Sequence, residues 1–102
     1  MEKFELMISS TDKDIYTVLK SQDLILGSAT QSYLIPSYPL PHRKKLCIYN
    51  NGSVALYIGG SDVTISNGYP LGIGDHFIIN APNNVYAVSS ASGHTIRILE
   101  VE

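Results

Sequence analysis

Three histidines, His42, His76 and His94, one cysteine, Cys47, and nine acidic side chains are where this sequence could do chemistry. Histidine is the commonest transition-metal ligand, but a site needs several donors brought to one side of an element. These three share no H-x-H or H-x-x-x-H spacing, and each stands at an expected strand start or turn. They read as surface or partly satisfied histidines. A lone Cys47 excludes an intramolecular disulfide and any multi-cysteine metal centre. Inside the run Leu46-Cys47-Ile48-Tyr49 it reads as a small buried hydrophobe, since a reactive thiol needs an electropositive, partly exposed setting. No serine lies in a G-x-S-x-G elbow, and no Ser or Cys is paired in sequence with a His and an acid in a recognised order. Triads are spatial, so a triad assembled by the fold stays open at this point. Gly72 and Gly74 precede a strand rather than a helix N-terminus, so they lack the amide donors of a phosphate loop. Glu2 and Glu5 sit near one terminus and Glu100 and Glu102 near the other, where they read as edge-strand charges that discourage aggregation. The expectation is a chain with no catalytic residues, no metal and no cofactor.

The segment Pro70-Leu71-Gly72-Ile73-Gly74-Asp75-His76-Phe77-Ile78-Ile79-Asn80 is similar to the second metal-site motif of cupins. Its glycine-to-histidine spacing departs from that motif, and no upstream H-x-H with a glutamate exists. A shared turn grammar, a glycine-rich corner entering a strand, accounts for the likeness. Seven tyrosines remain as a signal. Tyrosine suits places where one end is buried and the other wet, including protein interfaces and sugar-stacking platforms. Tyr38 and Tyr69 lie in proline-containing loops and are the candidate partner contacts, with glycan as one partner they would suit. Tyr49 and Tyr57 read as a cross-strand pair.

The elements that must carry these residues are strands. Leu46-Cys47-Ile48-Tyr49, Asn50-Asn51-Gly52-Ser53 and Val54-Ala55-Leu56-Tyr57-Ile58 read as a β-hairpin, because Asn-Gly supplies the φ > 0 of a type I′ turn. Val54, Leu56 and Ile58 then share one face. Gly59-Gly60 ends that strand, Val63-Thr64-Ile65 is a short strand candidate, and Asn67-Gly68 turns again. Lys3 to Ile8 is an expected strand, and Thr11 to Gln22 fits a strand better than a helix. Further strands are expected in Leu24-Ile25-Leu26 and at Gln31 to Ile35. Three prolines between Pro36 and Pro41 make an extended connector of the kind that crosses between two sheets. His76 to Asn80, with Phe77 and Ile79 on one face, is expected to pair with Val85 to Val88, and Thr95 to Val101 closes the chain.

About eight short strands with turns near the spacing of a sandwich or barrel predict an all-β protein, an antiparallel β-sandwich of jelly-roll-like form. The 102 residues suit a single domain, with residues 1–22 set apart as an N-terminal arm or peripheral element. Formal net charge is −2 and the longest basic run is Arg43-Lys44-Lys45, read as a solvated strand entry, so no nucleic-acid footprint is expected. There is no apolar run of membrane-spanning length and no signal-peptide pattern at the N-terminus, so no membrane partner is expected.

The run Arg43 to Ser53, followed by Leu56-Tyr57-Ile58-Gly59-Gly60-Ser61-Asp62-Val63-Thr64 and Asn67-Gly68-Tyr69-Pro70-Leu71, resembles the small β-sandwich virion proteins of tailed bacteriophages. The likeness spans Ser28 to Val101, ending in a strand like Val85-Tyr86-Ala87-Val88, and leaves residues 1–27 uncovered. It implies a non-enzymatic structural protein, either decorating heads or associated with fibres, made in the host bacterial cytoplasm and carried on the virion. The expected role is a capsid decoration or cement protein. Its partners would be the major capsid protein or other virion proteins, and it would act as a homo-oligomer. The alternative is a fibre- or tail-associated carbohydrate-binding module.

Overall fold

The computed structural model describes residues 18–102, which contain eight strands and no helix. They are β1 (Leu19–Leu26), β2 (Tyr33–Ile35), β3 (Lys45–Asn50), β4 (Leu56–Gly59), β5 (Tyr69–Leu71), β6 (His76–Ile79), β7 (Val85–Ser89) and β8 (His94–Val101). Sheet A has the order β1-β8-β3-β6 and sheet B the order β2-β7-β4-β5. Every pairing is antiparallel, and β1 pairs with β8, β2 with β7, β3 with β6 and β4 with β5. The chain is thus one long antiparallel ribbon with its tip between β4 and β5, wrapped so that β3 also meets β8 and β4 also meets β7. That is the jelly-roll arrangement of eight strands in two sheets. The proline connector expected to cross between sheets does so, carrying the chain from β2 in sheet B to β3 in sheet A.

Alternation along the strands decides which residues meet between the sheets. Sheet A contributes Leu26, Leu46, Ile48, Ile96 and Ile98; sheet B contributes Ile35, Leu56, Ile58, Leu71, Val85 and Ala87. Each of the ten other than Ala87 contributes roughly 1.5–3 kcal/mol on burial, and together they set the fold's stability scale. Leu56 and Ile58 share the inner face as expected, and Phe77 and Ile79 pack against the same core.

Several expectations are corrected. Asn50 to Ser53 is not a hairpin turn: β3 lies in sheet A and β4 in sheet B. The glycines with positive φ are Gly74 and Gly93, not Gly52. Asn50 is fully buried, and its side chain hydrogen-bonds across the interior, so the chain dives between sheets where a surface reversal was expected. Tyr49 and Tyr57 therefore lie in different sheets; Tyr49 faces His76 and Arg97, whereas Tyr57 faces Pro70 and Val88. Val85 to Val88 does not return beside β6, because β6 pairs with β3. Val63-Thr64-Ile65 is loop, pinned by buried Val63 and closed by Gly68 N–H donating to the Thr64 carbonyl. Tyr69-Pro70-Leu71, expected as loop, is a strand. A proline is tolerated there because β5 is the edge of its sheet, where a missing donor can face outward. Cys47 is half-buried on the outer face of sheet A instead of in the core. The expected strand Lys3 to Ile8, and residues 11–17 of the next segment, lie outside the described residues; Leu19 to Gln22 opens β1.

Candidate functional site

A buried polar post stands behind the groove between β5 and β6. Asn50 ends β3, Ser89 ends β7 and His94 opens β8, so the wrapped ribbon brings all three to one end of the sandwich. The Ser89 Oγ lies 2.6 Å from His94 Nδ1, and His94 Nε2 lies 2.7 Å from Asn50 Oδ1. The Asn50 amide nitrogen donates to the Leu71 carbonyl at 2.9 Å and the Val54 carbonyl at 3.0 Å, which fixes Oδ1 as the acceptor. His94 consequently carries its proton on Nε2 and accepts the Ser89 hydroxyl at Nδ1. Burial lowers the His94 pKa below its ordinary 6.5.

Serine, histidine and asparagine in a hydrogen-bonded row are the parts of a nucleophilic triad, and the sequence left such a spatial triad open. Access decides against it here. Ser89 is 0 % exposed, and its Oγ also accepts the Ala91 N–H at 3.1 Å, so no substrate carbonyl can reach it. The row instead joins sheet B to sheet A. Asn50 extends that tie to the loop between β5 and β6, since its carbonyl accepts the Gly74 N–H and its N–H donates to the Asp75 carbonyl, both at 2.9 Å.

That loop forms the end wall of a groove of about 390 Å³ at the open edge of the sandwich, between edge strands β5 and β6. Tyr69 is paired with buried Ile58 and Phe77 with buried Ile48, so both rings project toward the interior side of their sheets. At an edge there is no further strand to cover them. Tyr69 is accordingly 63 % exposed, and the two rings pack against each other with centroids 6.2 Å apart at 48°, along one side of the groove. Asp75, His76 and Ile78 complete the lining, with Asp75 and His76 exposed. A Cβ on Gly72 would lie 2.8 Å from Asp75 Oδ2, so this glycine leaves room for the carboxylate to fold over it.

Protein-family models, curated proteins and solved structures offer no match to this chain.

Of the two tyrosines picked out in the sequence, Tyr69 lines the groove and Tyr38 does not. Tyr38 is 84 % exposed in the connector after β2, at the opposite edge of sheet B. Three strand spacings, about 14 Å, separate the two edges. The histidines do not converge either. His42 and His76 are exposed and His94 is enclosed by Ser89 and Asn50. Among the described residues no three of His, Cys, Asp and Glu gather as a metal would require. Phe77 and Asp75 were missed as groove residues because only the stacking of β5 beside β6 brings them to Tyr69.

The other end of the sandwich holds a second polar cluster, and it overturns two expectations. Arg43 and Glu100 are both buried, with Nη1 to Oε2 at 3.4 Å. Lys45 is buried as well, so the basic triplet is not a solvated strand entry. Glu100 is not an edge charge, because β8 is an interior strand of sheet A and alternation turns Glu100 inward with Ile96 and Ile98. Its Oε2 also accepts the Leu40 N–H at 3.1 Å, and Arg43 Nη2 donates to the Asn83 carbonyl. Glu102 holds the His42 N–H at 2.7 Å. These bonds fasten the β2–β3 connector and the β6–β7 turn to the end of β8. Removing one partner of such a pair strands the other charge and costs about 3–5 kcal/mol.

Proposed function

We propose that this chain is a non-enzymatic structural protein of a phage virion, a decoration or cement protein that binds the head surface and acts as a homo-oligomer. The observation that supports the reading is the outer face of sheet A. Strand register sets Leu99, Cys47 and Ile78 side by side across β8, β3 and β6. Leu19 and Ile25 stand exposed on the same face of β1, at 50 % and 63 %, and Ile78 is 43 % exposed. Large apolar side chains gathered on an exposed sheet face mark surfaces that associate with protein. The neighbouring row, Asp23, Arg97, Tyr49 and His76, adds polar groups that can set register with a partner. Such a protein works by burying area across capsomer junctions, which stabilises the shell against internal pressure, and cyclic symmetry is the usual route for its copies.

Purified particles test this directly. The protein should copurify with virions in a fixed ratio to the major capsid protein, and Ile78→Lys should fold normally yet be depleted from particles. A protein confined to the infected-cell lysate, never found on virions, would refute it.

A further inference from the structure

We propose that the groove between β5 and β6 is a saccharide-binding site that takes a pyranose ring against Tyr69, with the Asp75 carboxylate holding its hydroxyls. A pyranose has two kinds of surface, a face of C–H groups and a rim of hydroxyls. An exposed aromatic ring suits the first and a carboxylate, which accepts from two adjacent hydroxyls, suits the second. Tyr69 offers the ring, and it is the groove residue that the core leaves uncovered although it points inward. Phe77, 6.2 Å away and tilted 48°, packs against that ring and backs it, so a sugar stacks on the face of Tyr69 that Phe77 leaves open. Asp75 is exposed at the end of the same groove, in the loop just before β6. A volume of about 390 Å³ accommodates one sugar ring and part of a second.

Preorganisation separates this from an incidental patch. The backbone at Leu71, Gly74 and Asp75 is tied to fully buried Asn50 by three hydrogen bonds of 2.9 Å each, and Asn50 is in turn held by His94. The carboxylate and the tyrosine are thus mounted on the rigid end of the sandwich, which lowers the ordering cost of binding. A peptide adding itself as a strand is the other occupant an open edge invites, and on the β5 side the strand discourages it. That strand is three residues long and has Pro70, with no N–H, at its centre.

The test uses the full-length protein, isotope-labelled, titrated by NMR with methyl glucoside, methyl galactoside, methyl mannoside and the trimer of N-acetylglucosamine, alongside a glycan array. The site is supported if at least one of these ligands shifts the resonances of Tyr69, Asp75, His76 and Phe77. Tyr69→Ala and Asp75→Asn, with otherwise native spectra, should each then weaken that binding by about tenfold or more. Tyr38→Ala, at the far edge, should leave it unchanged. The proposal is overturned if every probe and the array are silent, if Tyr69→Ala binds as the wild type does, or if the shifts cluster around Tyr38. None of these results depends on whether the protein is found on virions, so the two readings fail separately.

Discussion

His94 is held in its neutral form by its native setting. Its Nε2–H is committed to Asn50 Oδ1, and its Nδ1 accepts from Ser89, whose oxygen already accepts the Ala91 N–H. A second proton on Nδ1 would need Ser89 to stop donating and would place a cation in a dry site. Burial therefore lowers the histidine's pKa, while the unfolded chain takes up its proton near 6.5. Below that value the unfolded state binds more protons than the folded one, so stability falls as pH falls and is fully present above it. Urea unfolding between about pH 7 and pH 5 should show this loss, and His94→Gln should flatten the dependence in that window. Superimposable profiles for the two proteins would mean that the proton is accommodated without cost. The same reasoning explains why this cluster was not legible beforehand. Asn50, Ser89 and His94 are separated by dozens of residues or sit at strand ends, and nothing in their types says that three chain reversals will superimpose them. Glu100 was misread for a related reason: an acid two residues from a terminus resembles an edge charge until β8 is known to be an interior strand of its sheet.

At the scale of elements, the longer strands were readable, whereas short β5 and the loop at Val63-Thr64-Ile65 were exchanged, and the strands' partners were not readable. Alternation in β8, and the apolar runs of β3 and β4, state a strand whatever it pairs with. Asn51-Gly52 was the misleading signal, because a glycine can be required by crowding as well as by φ. A Cβ on Gly52 would fall inside contact distance of three atoms of the His94 ring, and the residue's φ is not positive. Gly52→Ala should then destabilise the protein by about 1–3 kcal/mol, the usual cost of forcing an extra carbon into packed surroundings. Gly60→Ala, whose nearest neighbour is the flexible Asp62 carboxylate at 3.4 Å, should be close to neutral. Denaturant midpoints compare the two. Equal effects would return Gly52 to an ordinary turn residue. The groove was half legible for the same reason. Tyr69 announced itself as an exposed tyrosine beside a proline, but its packing partner Phe77 belongs to the other sheet.

Residues 18–102 are a ribbon folded about its middle, and that dictates how they can form. Residues 60–68 alone separate β4 from β5, whereas nearly the entire described chain separates β1 from β8. Closing a loop costs entropy that grows with its length, by about 0.6 kcal/mol per doubling, so the tip pair is the least expensive to make. Once β4 and β5 are joined, β3 and β6 are close, and each pairing shortens the effective loop for the next. Folding is expected to zip from the tip toward the β1–β8 end on the slow scale of non-local β proteins. Leu56 in β4 and Leu26 in β1 are both fully buried, so truncating either to alanine should cost about 2–5 kcal/mol at equilibrium. Their kinetics should differ. Leu56→Ala removes a contact present when the barrier is crossed and should chiefly slow folding. Leu26→Ala removes one made afterwards and should chiefly speed unfolding. Stopped-flow chevrons separate the two arms, and a Leu26→Ala folding arm slowed as much as that of Leu56→Ala would place the closing strands in the nucleus and reverse the order.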